Sequence, residues 1–186
     1  NLGVSLNQAS WCSVDGTDIV FVGEIDGIRG VYLLKVFQEN TSGDRIPLVG
    51  EVPVLVTETN DIGLTSPKCS PVPVGPADNE KIKVVFRDRE IESDGSLSNY
   101  DNFYLANLDG SGAPVLLLDG LERGGLAQFN PSWSPLGDRI VFSSLLWNVN
   151  PYDVEVVEFH WEENNPDPIV NPNIQSLVRG VNSPLE

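Results

Sequence analysis

The chain has 186 residues, 40% of them hydrophobic, which is enough for one domain of ordinary size with a core. Lys and Arg number 11 against 27 Asp and Glu, a formal net charge of -16. A surface that negative repels nucleic-acid phosphates and anionic lipid, which sets both aside as partners; it favours solubility and attracts cations or basic proteins. No apolar run approaches the ~20 residues that span a bilayer. The chain opens on Asn1 and contains no Met, so it reads as a processed product or an excised piece, its targeting segment lost.

The first stretch, Gln8-Ala9-Ser10-Trp11-Cys12-Ser13-Val14-Asp15-Gly16, reads as a strand leading into a turn. Ile19-Val20-Phe21 follows as a β-run, then Val31-Tyr32-Leu33-Leu34. A closing apolar run comes next, either Ile46 to Val49 or Val52 to Val56.

The pattern then starts again. Ser66-Pro67-Lys68-Cys69-Ser70-Pro71 matches the opening stretch, and Val72 to Glu80 is a Pro-rich insertion after it. Val84-Val85-Phe86, Phe103-Tyr104-Leu105-Ala106 and Val115 to Leu118 are the next three runs. The last two are joined by Asn107-Leu108-Asp109-Gly110-Ser111-Gly112, whose Asp-Gly and Ser-Gly dipeptides predict a hairpin.

The third copy is the clearest. Asn130-Pro131-Ser132-Trp133 leads into Ser134-Pro135-Leu136-Gly137, where Pro sets φ and Gly takes the position favouring φ > 0. Ile140-Val141-Phe142, Val154-Glu155-Val156-Val157 and Ile174 to Val178 complete it. Asn182-Ser183-Pro184 begins a fourth copy. Taking Ala9, Pro67, Pro131 and Pro184 as equivalent, the spacings are 58, 64 and 53 residues. With 14 Pro and 17 Gly punctuating the chain, long helices are not expected.

Four short antiparallel strands repeating at this interval predict an all-β partial β-propeller of three four-stranded antiparallel blades. Blade one spans about residues 8–57, blade two about 65–120 and blade three about 129–180, with 181–186 starting a fourth. Trp and Phe recur at fixed places, where they are expected to fill the layers between blades.

The stretch Asn130 to Ser144 resembles the blade motif of TolB-type propellers, a WD-repeat-like family whose inner strand reads Pro-x-Trp-Ser-Pro-Asp-Gly before a Lys/Arg-Ile-Ala-Phe strand. Phe103 to Gly112 resembles that family's third strand and its Asp-Gly-Ser-Gly hairpin. The likeness covers most of the chain. Leu136 departs from it by replacing the usual Asp, as do Cys12 and Lys68 within otherwise typical turns. Three loops are lengthened: Glu90 to Asp101, Leu145 to Tyr152, and Glu162 to Asn173. Loops of that kind lie on propeller rims, where binding is usually placed. Propellers of the family have six or more blades, so three imply part of a longer propeller, with a self-contained stack or a ring of two copies as alternatives.

The resemblance implies a non-enzymatic scaffold or protein-interaction module, periplasmic or secreted, with protein partners and self-association through open blade faces. The alternative is the gating, substrate-selecting propeller of an oligopeptidase-type serine hydrolase whose catalytic domain is not in this chain. Fold does not decide between them. No catalytic, cofactor-binding or metal residue is assigned, and no cofactor. Gly-x-Ser-x-Gly is absent.

Several residues have two readings. The oxygen-rich loop Glu92 to Asp101 is a solvated turn ahead of a calcium site, because EF-hand spacing is missing. Asp153, after Tyr152, caps a turn, and His160, between Phe159 and Trp161, is structural or at the surface. Without Cys-x-x-Cys and with His160 the only histidine, a four-ligand zinc site is not expected. Cys12 and Cys69 fall on adjacent inner strands of the implied propeller, where buried free thiols are expected ahead of a disulfide. Trp147, in a long loop, is a binding candidate beside the plainer reading of packing between loops.

Overall fold

A computed structural model of the chain describes residues 5–12, 16–61, 66–76, 79–122, 127–145, 153–163, 165, 168–171 and 174–178. Among these residues every regular element is a strand, and the strands form four antiparallel sheets.

The first sheet contains β1 (Ser5–Trp11), β2 (Asp18–Ile25), β3 (Ile28–Lys35) and β6 (Val54–Glu58), in the order β1-β2-β3-β6. The chain between β3 and β6 forms a separate two-stranded ribbon, β4 (Phe37–Glu39) with β5 (Arg45–Pro47). The closing run of this unit is therefore Val54–Glu58, and Ile46 belongs to the ribbon.

The second sheet is β7 (Lys68–Cys69), β8 (Lys83–Asp88), β9 (Asn102–Asn107) and β10 (Val115–Leu118), paired in chain order. β7 has only two residues, because the Pro-rich insertion follows at once and Pro cannot donate to a ladder. β9 and β10 pair across the predicted hairpin, in which Gly110 N–H donates to Asn107 O at 2.9 Å.

The third sheet runs β11 (Ala127–Trp133), β12 (Arg139–Leu145), β13 (Asp153–His160). Two short strands then share the far edge of β13. β14 (Ile169–Val170) pairs at Phe159 and His160, and β15 (Gln175–Val178) at Val154 to Val156. The long loop before the last run thus contributes a strand that the four-strand expectation lacks.

The turn from β11 to β12 forms as its residues dictate: Gly137 has φ 74°, and its N–H donates to Ser134 O at 3.0 Å. A Cβ on Gly137 would stand 2.5 Å from Val74 Cγ1, so the second unit's insertion packs directly on this turn.

Strand side chains alternate between faces. On β8, Val84 and Phe86 meet the first sheet, alongside Val20, Val22, Val31 and Val56. Val85 points the other way and joins Phe103, Leu105, Ile140, Phe142, Val157 and Phe159 between the second and third sheets. The middle sheet is covered on both sides, which is why β8 is buried from Val84 to Asp88. On β12 burial alternates instead. Ile140, Phe142 and Ser144 face inward, while Val141 and Ser143 lie on a partly exposed outer face with Val154 and Val156.

Two expectations need correction. Trp133 fills the layer between sheets, packing edge-on against Phe159 at 5.8 Å, but its counterpart Trp11 is 59% exposed. The registers Trp11↔Ile19 and Trp133↔Ile140 are equivalent, so the difference lies in what precedes each sheet. Trp133 has the second sheet before it, and among the described residues Trp11 has none. Second, Cys12 and Cys69 are joined as a disulfide, not free thiols, with Cα atoms 4.9 Å apart. The end of β1 lies beside β7, within the separation a disulfide requires.

Candidate binding site where the first strands meet

The first strands of the three sheets, β1, β7 and β11, lie side by side. Each carries the same irregularity. Gln8 (φ 47°), Ser66 (φ 34°) and Asn130 (φ 51°) are left-handed, and each directly precedes Ala9, Pro67 or Pro131, the equivalent positions of the repeat. The β1 register shifts between Asn7 and Ala9, and that of β11 between Phe129 and Ser132. These are bulges, which re-aim side chains at a strand edge. A left-handed residue other than Gly costs roughly 1–2 kcal/mol, least for Asn, and persists only where its surroundings hold it.

Those surroundings are visible. Gln8 Oε1 accepts from the Ser66 backbone N–H at 2.6 Å and from the Ser66 hydroxyl. Lys68 Nζ donates to Ser10 Oγ at 3.2 Å. Trp133 Nε1–H donates to the Lys68 carbonyl at 2.9 Å. With the Cys12–Cys69 disulfide, side chains link all three first strands.

The three left-handed residues share one shallow concavity of about 330 Å³ with Ala9, Pro67 and Lys68. Lys68 makes no ion pair among the described residues, in a chain of net charge -16. The concavity therefore offers an ammonium, side-chain amides and a hydroxyl, with no carboxylate among the described residues that line it.

A buried charge network reaches the start of β11, just before Asn130. Arg87, 2% exposed, donates from Nη1 to the Gln128 carbonyl at 2.7 Å, and its guanidinium lies 4.7 Å from the centre of the Phe129 ring. Asp101 Oδ1 lies 3.6 Å from Arg87 Nε and 3.4 Å from Arg89 Nε, and Arg89 Nη2 reaches Asp61 at 2.9 Å. Asp88 accepts from the backbone N–H groups of Asn60, Asp61 and Arg89. Burial pushes the Asp88 carboxyl up from its ordinary value, against these amide donors, and pushes the Arg87 guanidinium down. Gln128 is fully buried, and neither end of its side-chain amide has a hydrogen-bond partner among the described residues. The network fixes the start of β11 and so sets where Asn130 stands.

The loop singled out for its oxygens divides. Asp94 accepts from the Ser96 N–H at 2.9 Å and hydroxyl at 2.7 Å, a turn closed on itself, while Asp101 points inward to the arginines. Its carboxylates do not converge, and no cluster of three or more His, Cys, Asp or Glu among the described residues is placed to hold a metal ion. His160 is exposed at the end of β13, and Asp153 opens the same strand opposite Ser144. Trp147, Tyr152 and residues 181–186 lie outside the described residues.

Sequence reasoning passed over Gln8, Lys68 and Asn130 as site residues. The available signal was position, since each sits in the opening stretch of a repeat. Arg87-Asp88-Arg89, directly after the apolar Val84-Val85-Phe86, was a second signal, because charges in that place must be paired inside.

Fold and site define an all-β protein of stacked antiparallel sheets with a polar concavity where their first strands meet. Neither models of known protein families nor curated protein sequences yield a match to the chain. No helix among the described residues is long and apolar enough to cross a membrane.

Proposed function

We propose that the chain is a non-enzymatic scaffold, a partial propeller of three TolB-like blades, that presents its axial mouth to protein partners. One observation carries this reading: Gln8, Ser66 and Asn130, equivalent in the repeat and all left-handed, line a single concavity. Backbone strain repeated at one place in three units marks a surface held in shape for contact. The partner's contacting group is anionic or rich in hydrogen-bond acceptors, because Lys68 and the side-chain amides supply donors.

Further features support the wider reading. The leading strands of the three sheets lie next to one another, an arrangement that inner strands of blades would have. The disulfide favours an oxidising, extracytoplasmic compartment. The face bearing Trp11 and the face bearing Val141, Val154 and Val156 favour self-association.

The test is a random-peptide display library panned on the isolated chain. Enriched peptides are expected to bind the wild type and to lose binding to Lys68→Ala and Asn130→Ala. Absence of enrichment, or peptides indifferent to both substitutions, rejects the reading.

A further inference from the structure

A second cleft, of about 460 Å³, opens between the second sheet and the approach to β14. That volume suits a small organic molecule. Leu105, Val115, Leu116, Pro114 and Pro168 give it an apolar side, and Asn79 and Asn107 a polar one. One cation stands in it, Lys83 on β8, partly buried.

The surroundings of Lys83 are unbalanced. Its Nζ donates to Asn107 Oδ1 at 2.6 Å and lies 5.9 Å from the centre of the Trp161 ring. Asn107 is turned for this by its own amide, which donates from Nδ2 to the Ser111 carbonyl at 2.7 Å. The carboxylate nearby, Asp109, is paired with Lys81 at 3.0 Å. Among the described residues Lys83 makes no ion pair, and one of its three N–H donors, the one to Asn107, has a hydrogen-bond acceptor. Burial pushes its ammonium below the ordinary lysine range, and the charge of Lys81 adds to this, against Asp109. The indole N–H of the adjacent Trp161 is buried and has no acceptor among the described residues.

We propose that this cleft binds an organic carboxylate with a compact apolar body, its carboxylate on Lys83 Nζ and its body against Leu105, Val115 and Pro114. An apolar side next to an ammonium that has no carboxylate partner among the described residues selects such a ligand over inorganic anions, which gain nothing from the apolar side, and over neutral apolar molecules, which gain nothing from the charge. The carboxylate can belong to a free acid or to the end of a peptide. This site is separate from the concavity at Lys68 and does not depend on what that concavity binds.

The probe is benzoate, titrated into the wild-type chain by calorimetry, with benzamide as the uncharged match. Saturable binding in the millimolar range is expected, with benzamide at least about tenfold weaker, the worth of one charge-assisted hydrogen bond. Lys83→Met should bring benzoate down to the benzamide level, and Lys83→Arg should keep the preference. Melting temperature checks that each variant folds, and the benzoate–benzamide comparison stands on the wild type alone. N-acetyl-glycyl-phenylalanine and its amide form the peptide arm. Preference for the acid peptide over benzoate assigns the site to a chain end; the reverse assigns it to a free acid. Equal binding of acids and amides, no saturable binding of either acid, or undiminished benzoate binding by folded Lys83→Met overturns the proposal.

Discussion

Trp133 donates its indole N–H to the carbonyl of Lys68 at 2.9 Å, a hydrogen bond that crosses from the third sheet to the second. It ties the start of one repeat to the same point in the repeat before. Trp11 occupies the matching register position, opposite Ile19, and stands 59% exposed. One residue type in one place thus has two fates, decided by whether a sheet precedes it.

Trp133→Phe keeps most of the packing on Phe159 and leaves the Lys68 carbonyl without this donor. A loss of about 0.5–1.5 kcal/mol in urea unfolding is expected from the hydrogen bond. Trp11→Ser should change stability by less than about 0.5 kcal/mol. If the Trp11 face takes part in self-association, light scattering of Trp11→Ser will show a lower mass than the wild type.

Reduction of the disulfide tests the link between β1 and β7. Cys12 and Cys69 are 57 residues apart, so opening the bond releases a long loop in the unfolded chain. Cys12→Ser with Cys69→Ser is expected to lose about 2–4 kcal/mol, read from denaturation curves with and without reductant. Reductant should then leave the double variant unchanged.

Asn130 offers a direct reading of the strained bulge. Its φ of 51° suits Gly, tolerates Asn and opposes a β-branched side chain. Asn130→Gly should unfold at or above the wild-type denaturant midpoint. Asn130→Val should cost about 1–3 kcal/mol.

Two aspartates give opposite pH signatures. Hydrogen bonds from Ser111, then Lys81, hold Asp109 down at about 2. A carboxyl lower in the folded chain than its unfolded value of 3.8 adds stability above 3.8, and that stability fades as pH falls through about 2. Asp109→Asn should flatten this acid limb. Asp88 is pushed up by burial, so its effect runs the other way: stabilising below 3.8 and lost as pH rises through its folded value. Carboxyl-carbon NMR titration of the native chain should place Asp109 below Asp88.

The strand plan was legible because burial writes itself into sequence. β8 is covered on both faces and reads as an unbroken Val84-Val85-Phe86, while the turn at Ser134 to Gly137 declares itself through Pro135 and Gly137. The β4–β5 ribbon was not legible, since its residues are mostly exposed and carry no periodic apolar pattern. The concavity was hidden for another reason. Gln8, Ser66 and Asn130 are ordinary polar residues, and only the backbone that bends them to positive φ distinguishes them. Pairings across repeats, such as Arg87 with the Gln128 carbonyl, or Cys12 with Cys69, depend on how sheets stack, which local spacing does not encode.

The centre of the middle sheet is covered on both faces, since Val84 and Phe86 lean on one neighbour and Val85 and Phe103 on the other. It is therefore the part of the molecule that cannot open without the rest. Local fraying can release the β4–β5 ribbon or the far edge of the third sheet at little cost, whereas exposing the amides of β8 and β9 requires both layers to separate. In hydrogen exchange those amides will be the last to go, at the rate of global unfolding. Cutting the chain between sheets would not yield thirds of a protein. It would leave a central piece with two adhesive sides.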